Sequence, residues 1–64
     1  MPVPALTLRE REVADAVARG LTSKQIARAF GVSPRTVEKH RENAMRKLGA
    51  ISLSQLIQAV WEMG

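Results

Sequence analysis

Arg35, Glu38, Lys39, Glu42 and Arg46 follow one another at intervals of three, one, three and four residues. On a helix that turns about 100° per residue this spacing gathers the five side chains on one face, donors interleaved with acceptors. A lysine ammonium can donate to guanine O6 or N7, and a glutamate carboxylate can accept from cytosine N4, so such a face has the chemistry to read base edges. Glu38, Lys39, Glu42 and Arg46 are the candidate base contacts. Glu38 and Glu42 form a like-charge pair at i and i+4, and Arg41 and Arg46 stand three and four residues beyond them as expected ion-pair partners. Glu38 therefore reads a base or serves an ion pair. A second set, Thr22, Ser23, Lys24, Ser33, Arg35 and Thr36, falls at the start of two expected helices, where free N–H groups and hydroxyls suit phosphate oxygens. These six are the candidate contacts to a nucleic-acid backbone.

Other chemistry is poorly supplied. The chain has no cysteine and a single histidine. His40 falls at the edge of an apolar helix face and reads as a packed structural residue. No second histidine, thiolate or clustered carboxylate pair joins it, so no metal site, cofactor site or acid–base pair is expected, and no enzyme activity.

The elements that must position these residues are clearly punctuated. Thr7, Thr22, Ser33 and Ser52 can each accept a hydrogen bond from an unpaired N–H at a helix start. Thr7 with Glu10, Thr22 with Gln25, and Ser52 with Gln55 have the spacing of capping boxes, while Pro34 suits the first position after Ser33. Gly20, Gly31 and Gly49 stand where the patterns stop. The expected helices are 8–19, 23–30, 34–48 and 53–63, with no competing strand pattern.

Apolar residues recur at helical spacing: Val13, Val17 and Leu21; Ile26, Ala27 and Phe30; Val37, Ala44 and Leu48; Leu53, Leu56, Ile57 and Val60. They predict one shared core, an all-α, compact four-helix domain over 7–64. Residues 1–6, with Pro2 and Pro4, read as a flexible lead-in. Only "GVS" separates the second and third helices, a length that suits a helix-turn-helix corner, in which the second helix of the pair presents its outer face to the DNA major groove. Small Ala27 at the crossing, Gly31 in the turn, Val32 in the corner and Val37 under the third helix fit that corner.

Charge points the same way. Of a net +4, residues 19–47 hold eight Lys or Arg against Glu38 and Glu42, a net +6, and each flank comes to −1. A basic middle of this kind suits a polyanion. With 64 residues, a domain buries only about 60% of its unfolded surface, so modest stability is expected. The start of the chain lacks a basic region followed by an apolar run, and no segment approaches the roughly 18 apolar residues of a membrane span. A cytoplasmic, nucleoid-associated location is expected, with no membrane contact.

The runs "LTLREREV", "GLTSKQIA", "GVSPRTVEKHRENAMRKLG" and "SLSQL" resemble, in order and over about residues 6–60, the C-terminal DNA-binding domain of LuxR/FixJ-class bacterial transcription regulators. The resemblance implies sequence-specific binding to double-stranded DNA as a homodimer, weak without DNA, with the third helix in the major groove and the fourth at the dimer contact. It also implies an N-terminal receiver or sensor domain, which these residues do not contain. Ile51, Ser54, Gln58 and Trp61, on the outer side of the fourth helix, are the candidate dimer residues, although Trp61 equally suits a cap on the core. RNA polymerase is a further candidate partner. Two alternatives stay open: a sigma-factor-like promoter-binding domain, disfavoured by the tail "KLGAISLSQLIQAV", and a protein-interaction module derived from the same fold.

Overall fold

The computed structural model describes residues 6–63, the side chain of Met63 apart. Its four helices are α1 (Leu8–Ala18), α2 (Ser23–Phe30), α3 (Pro34–Leu48) and α4 (Leu53–Met63), within 35 × 20 × 19 Å. No strand forms among the described residues. Three helices span the expected residues, and α1 ends one residue short because Arg19 is already its cap, its N–H directed to the carbonyls of Asp15 and Ala16.

The N-terminal caps form as hydrogen-bond accounting requires. Thr7 Oγ1 accepts from Glu10 N at 3.1 Å while Glu10 Oε1 accepts from Thr7 N at 3.0 Å. Thr22 and Gln25 repeat the exchange at 3.1 and 2.9 Å. The third expected box closes only halfway. Ser52 Oγ accepts from Gln55 N at 3.2 Å, but Gln55 Oε1 takes the N–H of Ile51 at 2.8 Å instead of that of Ser52.

Helix ends at Gly31 and Gly49 depend on glycine, since both take φ +70°. Past Gly31 the N–H of Val32 returns to Ala27 O at 3.0 Å, and past Gly49 that of Ala50 returns to Met45 O at 2.9 Å. The left-handed residue lets the chain reverse and satisfies a terminal carbonyl. At Gly31 this reversal makes the corner between α2 and α3, with Val32 half-buried inside it.

α1 is the spine, packed against α2, α3 and α4; α3 also packs on α2 and α4. Val13, Ala14, Ala16 and Val17 from α1 meet Ile26 and Ala27, Val37 and Ala44, and Leu56 in one core. Ile26, Leu56, Val13 and Val37 are its largest fully enclosed side chains, each worth about 1.5–3 kcal/mol of burial. Leu6 packs against this core; the rest of the expected lead-in, residues 1–5, lies outside the described residues.

Two expected core residues are exposed, and Phe30, Leu48, Ile57 and Val60 are half-buried. Leu21 is 41% exposed and Leu53 50% exposed. Leu21 follows the turn at the end of α1, so the spacing from Val17 no longer carries its side chain inward. Leu53 lies in the first turn of α4, which α1 and α3 cover only on the side of Leu56.

One long-range contact ties the ends of two helices together. Lys47 Nζ donates to Glu10 Oε1 at 2.8 Å, across 37 positions, and the Glu10 side chain is only 6% exposed. The Lys47 hydrogen bond, seconded by the Thr7 N–H and opposed by desolvation, holds the Glu10 carboxyl below the usual glutamate range. The start of α1 and the last turn of α3 are thereby joined.

Candidate nucleic-acid interface

α3 divides into two faces. Val37 and Ala44 are buried, with Leu48 half-buried beside them, while Arg35, Glu38, Lys39, Glu42 and Arg46 are all exposed. At about 1.5 Å rise per residue the exposed row is roughly 16 Å long, on a helix of the diameter that a major groove admits. All four candidate base contacts therefore share one open surface. His40 and Arg41 flank it, both half-buried.

The expected relief of the two glutamates does not form. Arg46 Nη2 donates to Asn43 Oδ1 at 2.7 Å, so its guanidinium turns to the neutral amide three residues back, and Arg41 is half-buried. Among the described residues neither Glu38 nor Glu42 has a cation within ion-pairing distance. The tally of free cations also changes, because half-buried Lys47 is turned to Glu10.

The candidate phosphate contacts gather at the N-termini of α2 and α3. Thr22 Oγ1 caps Gln25 N, and Ser33 Oγ accepts from Thr36 N at 3.2 Å and lies 3.0 Å from Thr36 Oγ1. The Thr22 and Ser33 hydroxyls are structural caps, yet both residues stay exposed, as do Thr36, Lys24 and Arg35; Ser23 is half-buried. The first turns of α2 and α3 contain no acidic residue, whereas that of α1 contains Glu10. The positive ends of those two helix dipoles are thus left for an outside anion. Arg28, one turn beyond Lys24 on α2, is exposed as well and was not singled out by the sequence, where it reads as one surface charge among many.

Ser54, Gln58 and Trp61 lie on the outer side of α4 and Ile51 just before it, Ile51 being 87% and Trp61 74% exposed. Trp61 does not cap the core. Instead it borders an open groove of about 330 Å³ with Arg11, Asp15, Arg19 and Val60. Among the described residues no group of three metal-ligating side chains assembles, and no helix is long and apolar enough to cross a membrane.

Comparison with known proteins agrees with this geometry. The family described as "Bacterial regulatory proteins, luxR family" matches residues 4–60. The transcriptional regulatory protein FixJ of Bradyrhizobium diazoefficiens is 44% identical over 62 residues, 97% of this chain and 30% of FixJ. The transcriptional regulatory protein UhpA of Escherichia coli is 44% identical over 57 residues, 89% of this chain and 29% of UhpA. The spore germination protein GerE of Bacillus subtilis is 43% identical over 61 residues, 95% of this chain and 82% of GerE. The chain thus spans less than a third of FixJ and of UhpA but most of GerE. No solved structure matches it significantly. With its corner, its exposed polar row on α3 and this match over nearly all its length, the chain belongs to the luxR family of bacterial regulatory proteins, as a helix-turn-helix DNA-binding domain.

Proposed function

We propose that this domain regulates bacterial transcription by binding specific double-stranded DNA sites as a dimer, in the cytoplasm and without catalysing a reaction. α3 lies in the major groove, where Glu38, Lys39, Glu42 and Arg46 face base edges. Thr22, Ser23, Lys24, Ser33, Arg35 and Thr36 hold phosphates on either side. Ile51, Ser54, Gln58 and Trp61 meet the second copy, through a contact small enough to form mainly on DNA, where it also leaves room for RNA polymerase. The observation that carries this reading is the exposed polar row on α3, set beyond a three-residue corner whose two helix starts carry no acid of their own.

Selection from a random duplex library at two salt concentrations, with sequencing of the retained DNA, tests it. The expected product is a site with two half-sites about 10 base pairs apart, since a dimer places its reading helices about one helical turn apart. Lys39→Ala should relax preference at one position per half-site by about 1–3 kcal/mol, whereas Lys24→Ala should weaken all sequences alike. Retention without sequence preference would remove the specific reading. No retention even at low salt would mean that the basic face meets a protein.

A further inference from the structure

The outer side of α2 carries an open concavity of about 300 Å³ lined by Lys24, Gln25, Arg28 and Ala29. Lys24 and Arg28 stand four residues apart, so their cationic heads rise from neighbouring turns. α2 contains no Asp or Glu, and among the described residues no carboxylate pairs with either cation. Between them stands Gln25, whose Oε1 is committed to the Thr22 N–H at 2.9 Å. That bond settles which end of the amide is oxygen, because a backbone N–H needs an acceptor. The two N–H donors of Nε2 are left over, and among the described residues no acceptor takes them. The small side chain of Ala29 leaves the floor open. Three donor groups thus border a concavity that, among the described residues, is lined by no anionic acceptor.

We infer that Lys24, Gln25 and Arg28 form a cradle for one backbone phosphodiester of the bound duplex, with Gln25 and Arg28 as phosphate contacts additional to those at the helix starts. The inference rests on the proposed function, because only a duplex held on α3 brings a phosphate to α2. The capping box gives the cradle its geometry: by holding Oε1 inward it turns the amide's donors out.

The test is the salt dependence of binding to a short duplex of fixed sequence, measured for the unaltered protein and for Lys24→Ala, Arg28→Ala, Arg28→Lys and Arg19→Ala. Each neutralised phosphate contributes about 0.9 to the slope of log Kobs against log salt. Because both cations serve one phosphodiester, the double variant Lys24→Ala/Arg28→Ala should make the slope shallower by about 0.9, and Arg28→Ala alone by part of that. Arg28→Lys should restore most of the slope. Arg19→Ala removes an exposed cation of the same type from outside the cradle, at the end of α1, and measures the effect of losing a charge elsewhere. Gln25→Glu keeps an acceptor for the Thr22 N–H but replaces the outward donors, and should weaken binding to every sequence without loss of helicity. If Arg28→Ala changes the slope no more than Arg19→Ala does, while Lys24→Ala still lowers it, the cradle is wrong and the proposed function stands. If Lys24→Ala and Lys39→Ala also leave binding untouched, the proposed function falls and takes the cradle with it.

Discussion

α1 and α2 begin with the same device and put it to opposite use. In each, a threonine caps the helix and the third helical side chain reaches back to the cap, at nearly equal distances. The third residue is Glu10 in α1 and Gln25 in α2. Glu10 is 5% exposed, offsets the positive end of its own helix and captures Lys47. Gln25 is exposed, carries no charge and leaves the dipole of α2 unanswered. Replacing a carboxylate oxygen by an amino group therefore separates a helix start that closes the fold from one that stays open to an anion.

The largest effect at either helix start belongs to Glu10→Ala. It removes a cap and leaves a half-buried ammonium without its partner, so it should give the largest fall in melting temperature of any substitution at these two helix starts, read by circular dichroism. Glu10→Gln separates charge from capping. It retains an oxygen for the Thr7 N–H and removes only the charge, so it should fall between Glu10→Ala and the unaltered protein.

Acid should act as a reversible version of that substitution. The Glu10 carboxyl is held below its ordinary range in the folded chain, chiefly by Lys47, so the unfolded chain takes up its proton first as pH falls. The pair's stabilisation is therefore complete at neutral pH and is lost below about pH 4.3, as pH drops through the folded value. Melting temperatures of the unaltered protein and of Glu10→Gln should differ at pH 7 and converge at low pH. A constant difference would mean that the ion pair contributes nothing.

At the other helix start the effects are smaller. Thr22→Ala removes an exposed cap and should cost about 1 kcal/mol in denaturant titrations. Gln25→Glu should be the mildest change and opposite in sign, stabilising α2 by about 0.3 kcal/mol because an acid then faces the helix N-terminus. A destabilising result would mean that α2 needs the amide for its own fold.

Much of this fold was legible because its signals are local. A capping threonine, a proline at the first helical position and a left-handed glycine act within four residues, and α2, α3 and α4 accordingly run over the expected spans. The exposed row was legible for the same reason, since Glu38, Lys39, Glu42 and Arg46 share one helix. Contacts between helices were not. Glu10 and Lys47 are 37 positions apart, and nothing in local spacing marks Lys47 as different from the exposed cations around it. Arg46 turned to Asn43 instead of Glu42, because two partners lay within reach and spacing alone does not rank them. Leu53 was misplaced because helical periodicity identifies an apolar side without saying how far a neighbouring helix extends to cover it.

Trp61 is the only tryptophan, and the chain has no tyrosine. Nearly all its near-ultraviolet emission therefore comes from one indole, 74% open to water at the end of α4. Light from that ring reports faintly on the core, which it does not enter, and directly on whatever comes to lie against α4.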